Sequence, residues 1–124
     1  MKLNPDCIRD ILLTVEENTD FSTSMSYNEN SSYDKLNKYS QEEIFYHINQ
    51  CELSGLVTKV EWILGGSFYV RDLSPSGHEF LSNIRSDTNW SKTKEVATKV
   101  GSFSLDILSK VAVSVATSLI NKHI

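Results

Sequence analysis

Across residues 39–58 the chain has no lysine or arginine, although the same stretch holds Glu42, Glu43 and Glu52. A surface that grips nucleic acid draws most of its affinity from cations set against phosphates, so this stretch has the wrong sign for that work. Cysteine is scarce as well. Cys7 and Cys51 form no CxxC pair, so the spacing contains neither a disulfide framework nor a zinc ribbon, and both thiols are expected to be reduced and structural. Residues 1–20 hold no apolar run of the length a leader needs that is free of Asp, Arg or Glu, so no secretory leader is expected and the cytoplasm is the expected compartment. Proline occurs only at positions 5 and 75, and each opens a helix in the reading that follows.

With 124 residues, 40% hydrophobic and 23% charged, the chain suits one small domain with an appended element. The net charge of −4 hides a division along it. Residues 1–84 carry six Lys or Arg against thirteen Asp or Glu, a net −7, whereas residues 85–124 carry six against three, a net +3. The basic lysines, Lys92, Lys94, Lys99, Lys110 and Lys122, are spread over two helices without clustering, so they read as solvated helix surface.

Asn4 as N-cap, Pro5 at the first helical position and Asp6 in the first turn announce a helix whose buried face is Ile8, Ile11, Leu12 and Val15 and which ends near Asn18. The polar segment 19–32, with Phe21, Met25 and Tyr27 scattered through it, reads as a loop or short edge strand, and a short helix fits residues 32–38. Ser40 and Glu43 form an S-x-x-E capping box for a central helix that Gly55 and Leu56 terminate. Ile44, His47, Ile48 and Cys51 define its core face. Period two follows: Val60, Trp62 and Leu64 alternate with Lys59, Glu61 and Ile63, Gly65-Gly66 allows a reversal, and residues 68–71 return as the second strand of a hairpin. Ser74 and Pro75 open a helix through Phe80, Leu81 and Ile84. In the next helix Trp90, Thr93, Ala97 and Val100 share one face. Gly101 breaks that run before a last helix over residues 104–121.

The order of helix, SQEEIFYHINQCELSGLV, Gly-Gly hairpin and LSPSGHEFL resembles bacterial winged-helix proteins. The longer strings NPDCIRDILL, GHEFLSNIRSDTNWSKTK and GSFSLDIL resemble a family of uncharacterised small proteins from bacterial genomes and prophages. The resemblance implies a winged-helix-like core and a phage or mobile-element origin, with no active site to carry over. In such helices a core leucine usually stands where this chain has Cys51, which fits its reading as a small hydrophobe.

Candidate chemistry is thin. His47 and Cys51 lie one turn apart, with Cys7 and His78 as conceivable further zinc ligands, yet a structural site needs four ligands and only one pair is convincing, so no metal and no cofactor is expected. A nucleophilic Cys51 would need an electropositive, exposed setting, which an acidic helix does not provide. His78 reads as a structural hydrogen-bonding group, and Gly65-Gly66 lies between strands rather than before a helix, so it is no phosphate cradle.

The outer face of the central helix is richer. Tyr46 and Leu53 form an apolar centre rimmed by Glu42, Glu43, Asn49 and Gln50, the makings of a protein contact. Asn49 and Gln50 also suit adenine edges, with Lys59 and Arg71 of the hairpin as the nearest phosphate contacts. In the last helix Leu105, Leu108, Ala112, Val115 and Leu119 follow a 3-4 spacing suited to pairing with a second copy. Asp106 and Lys110 interrupt the apolar segment, so a membrane span is not expected. The expected architecture is therefore α+β: a winged helix-turn-helix core over residues 1–86 and a two-helix dimerising extension over residues 87–124. The expected function is a non-enzymatic interaction module that binds a protein through Glu42, Tyr46, Asn49, Gln50 and Leu53. The alternative is a dimeric DNA-binding regulator using Asn49, Gln50, Lys59 and Arg71.

Overall fold

A computed structural model describes residues 1–122 as five helices and one three-stranded antiparallel sheet. In chain order they are α1 (Pro5–Asn18), β1 (Met25–Tyr27), α2 (Gln41–Leu53), β2 (Val60–Ile63), β3 (Ser67–Val70), α3 (Pro75–Ile84), α4 (Asp87–Val100) and α5 (Leu105–Lys122).

The helix boundaries sit where local chemistry places them. The Asn4 side chain accepts the Asp6 N–H ahead of Pro5, and the Ser40–Glu43 capping box is closed in both directions. Ser74 accepts the Gly77 N–H at 3.0 Å. At the C-terminus of α2, Gly55 takes φ 72° while its N–H and that of Leu56 return to the carbonyls of Glu52 and Cys51. Each cap satisfies backbone groups that a helix end otherwise leaves open.

The sheet runs β1-β3-β2, with β3 in the middle. Its inner face sets Met25 and Val60 on either side of Val70, and Tyr27 and Trp62 on either side of Phe68. Segment 32–38 is a run of turns rather than the expected short helix: Leu36, buried among the core residues, donates its N–H to the Tyr33 carbonyl, and Tyr39 donates to Leu36. The hairpin also differs from the alternating reading. β2 stops at Ile63, opposite Ser67, so the turn takes three residues and Leu64 stands in it instead of extending the inward series. Gly65 and Gly66 follow at φ 99° and 85°, values that favour glycine.

One hydrophobic core runs through the whole molecule. Ile8, Ile11 and Leu12 of α1 meet Ile44, Ile48 and Cys51 of α2, and the same cluster continues through Phe80 and Leu81 of α3 to Trp90, Leu108 and Ala112. The C-terminal helix pair thus shares the core of the N-terminal residues. Polar ties reinforce this union. Arg9 on α1 donates to the carbonyls of Ile84 and Arg85 and pairs with Asp87. Glu16 receives both Arg85 nitrogens at 2.7 and 2.6 Å, and Asp6 receives Trp90 Nε1 at 2.7 Å and Lys94 Nζ at 2.9 Å. On α4, Trp90, Thr93 and Ala97 are buried as their spacing implies, while Val100 falls at the exposed end beside the left-handed Gly101.

Candidate functional site

Helix α2 presents three stripes, and each has a different neighbour. Ile44, His47, Ile48 and Cys51 turn into the core against α1. A second stripe, Gln41, Phe45 and Glu52, holds the hairpin. Gln41 donates to the Gly66 carbonyl. Glu52 accepts the Val60 N–H at 3.2 Å and the Trp62 indole N–H at 3.5 Å. Phe45 joins Tyr27, Trp62 and Phe68 in an aromatic cluster with centroids 5.2 to 6.1 Å apart. The apolar pattern alone did not single out Phe45, because it lies between the core face and the free face, where no periodicity marks it.

The third stripe is free. Glu42 and Leu53 are exposed, Leu53 by 73%, and Tyr46, Asn49 and Gln50 are half-buried. These five residues, singled out from the sequence, lie together on the outward side of α2, adjacent to the stripe that carries the hairpin. The hairpin extends the surface: Trp62 covers Phe45 and Phe68 with one face and leaves nearly half of itself in solvent, Ile63 is exposed beside it, and Leu64 at the tip is 101% exposed. Four large apolar side chains therefore stand in water on one helix and one hairpin.

The carboxylates around them have mixed duties. Glu43 closes the capping box and Glu52 anchors the hairpin, so both have structural roles, while Glu42 is open to solvent. All three still place negative charge on the surface without a cation on the same helix. Lys59 is engaged with Glu61 at 3.0 Å, and Lys59, Glu61, Tyr69 and Arg71 share the outer face of the sheet, away from the core.

The candidate zinc pair and thiols are otherwise occupied. His47 Nε2 accepts the Asn4 N–H at 2.8 Å, and Nδ1 lies 2.6 Å from the Glu43 carbonyl. An N–H can only donate and a carbonyl can only accept, so the ring is the neutral Nδ1–H tautomer and neither nitrogen has a lone pair left for a metal. Among the described residues no group of three or more His, Cys, Asp or Glu is placed to hold an ion. Burial pushes the Cys7 thiol up to about 12, with Glu43 and Asp10 adding to the effect. Fully buried Cys51 is raised too, by burial and by Cys7 beside it. Both thiols are therefore held protonated and shielded. His78 lies 3.9 Å from Asp72 at the surface.

The residues expected to pair two copies are found inside one. Leu105, Leu108, Ala112 and Val115 are buried, and Leu119 is half-buried, because α3 and α4 of the same chain cover that face of α5. The 3-4 spacing correctly marked a helix-packing stripe but carried no information about which helix packs on it. Val115 and Leu119 also border an open groove beside α4, so the stripe is covered only in part. Among the described residues no helix is long and apolar enough to cross a membrane.

The sequence profile of a family described as hypothetical protein (DUF2513) matches residues 2–104. An uncharacterized protein of Haemophilus influenzae is similar over 123 residues at 29% identity, covering 97% of this chain and 99% of the relative. No solved structure matches the chain.

Proposed function

We propose that the chain, which belongs to the DUF2513 family of hypothetical proteins, is a non-enzymatic interaction module of winged-helix type whose free α2 stripe and hairpin meet another protein. The strand order β1-β3-β2, with α2 immediately ahead of the β2–β3 hairpin, supports reading α2 as the recognition helix and the hairpin as the wing. A phage or mobile-element origin belongs to the same proposal and rests on the sequence resemblance alone.

One observation carries the reading. Where a groove-reading winged helix needs cations on its recognition helix and wing tip, this one offers carboxylates and exposed Leu53, Trp62, Ile63 and Leu64. Phosphates repel the former and gain nothing from the latter, whereas an apolar centre within a polar rim is what a protein contact buries. A DNA-binding reading keeps one point in its favour. Asn49 and Gln50 are half-exposed, their side chains form no hydrogen bond among the described residues, and Lys59 and Arg71 stand on the neighbouring sheet.

Titration of the protein into a fluorescent duplex at low salt separates the two. The protein-contact reading expects no binding, and an affinity that falls steeply as salt rises would overturn it. In affinity capture from a native extract, a specific partner should be lost with Leu53→Lys and Leu64→Lys. Both positions are exposed, so circular dichroism of these variants should stay unchanged.

A further inference from the structure

Helices α4 and α5 leave an open groove of about 600 Å³ along their outer side. Its floor is apolar, from Val96, Val111, Val115 and Leu119, and its edges carry Lys92, Lys110 and Lys122, with no carboxylate lining it among the described residues. Lys110 is tied to Asp106 at 3.0 Å and Lys92 approaches Glu95 at 3.9 Å, both across exposed surface where such pairs are weak and readily exchanged for a better partner. The groove thus asks for an occupant that is apolar in the middle and acidic around the edge.

The same chain displays such a feature elsewhere. The wing is a narrow projection tipped by Leu64, with Ile63 and Trp62 behind it, and the adjoining helix and strand carry Glu42, Glu43, Glu52 and Glu61, the last paired with Lys59. The charge division along the chain follows the same lines, −7 over residues 1–84 and +3 over residues 85–124. We propose that the wing of one copy seats in the α4–α5 groove of another, so that the protein associates head to tail. A symmetric pairing through the groove is disfavoured by the same charges, since groove against groove sets lysines facing lysines. Each copy carries one wing and one groove, so the contact joins unlike surfaces and can extend into a ring or a chain. The inference rests on the proposed function only in taking the wing as a protein-contact surface, and it names the partner as a second copy.

Sedimentation of the full chain over a wide concentration range at low salt tests this. The average mass of the wild type should climb with concentration and drop back toward one chain at high salt. Leu64→Lys removes the apolar tip, and Lys92→Glu with Ser118→Glu turns the groove acidic; all three positions are exposed, so both proteins should fold. Each variant alone should sediment as a single chain. An equimolar mixture should recover a two-chain species, because one supplies an intact groove and the other an intact wing. Wild type that stays monomeric overturns the proposal, whether or not its groove takes up an acyl anion such as dodecanoate, and so does a mixture that fails to associate. Loss of self-association with partner capture intact would remove this inference alone, whereas duplex binding would remove the reading beneath it.

Discussion

Gly77 shows how tightly a single position can be determined. It is buried in the first turn of α3, and a Cβ there would run into the Leu56 carbonyl oxygen and carbon, which are backbone and cannot swing aside. We expect Gly77→Ala to lower stability by roughly 3 kcal/mol in urea denaturation, in the range of overpacked cores. His47 is determined by hydrogen bonding instead. With His47→Leu the Asn4 N–H at the start of α1 loses its acceptor, a deficit of about 1 to 3 kcal/mol, and restoring volume does not restore the bond. For the thiols, the raised value of Cys7 and the burial of both sulfurs mean that native protein should react with a thiol reagent only as fast as it unfolds. Rapid labelling at neutral pH would contradict the packing. The capping residues Asn4, Ser40, Ser74 and Gly55 were all legible from sequence because a cap is a transaction among neighbours in the chain. The Asn4–His47 bond was not legible, since it spans 43 positions.

Among the elements, the β2–β3 hairpin was read only in part. The hairpin and its glycines were evident, but whether the turn uses two residues or three decides on which side of the register Leu64 falls, and Gly-Gly permits both. The result is an exposed Leu64 where alternation put an inward one. Phe45→Ala should loosen the hairpin from α2 by about 3 kcal/mol and raise amide exchange in β2 while leaving α4 and α5 protected. Helix α1 has a pH-sensitive attachment to the C-terminal helices. Hydrogen bonds from Arg85 hold the Glu16 carboxyl below its ordinary range. Burial pulls the Asp6 carboxyl upward, but the bonds from Lys94 and Trp90 outweigh it and leave it low. Both groups therefore release their protons more readily folded than unfolded. Their contribution is complete above the ordinary carboxylate range, about pH 4, and fades as pH falls through it toward the depressed folded values. Replacing both, Asp6→Asn and Glu16→Gln, should flatten the acid side of a plot of urea midpoint against pH.

For the whole molecule, the distinction that matters is between apolar surface that is covered and apolar surface that is not. From sequence the last helix looked the more exposed, since apolar residues encircle it. In the fold α3 and α4 cover most of its stripe, and exposed apolar side chains stand on α2 and the β2–β3 hairpin as well. Amphipathic patterns declare that a face will be buried without declaring by what. Leu108→Lys places a charge at a fully buried position and should cost about 4 kcal/mol or more, seen as early thermal unfolding. Leu119→Lys, at a half-buried position, should be tolerated far better, and equal damage from the two would mean α5 sits differently.

The bonds from Trp90 and Lys94 to Asp6 join residues 84 and 88 positions apart. During synthesis α1 leaves the ribosome ahead of α2 and α3, and its polar anchors on α4 follow all three. A growing chain can therefore settle the apolar face of α1 on α2 before α4 exists, and the bonds to Asp6 fasten that earlier pair only once the later helix arrives.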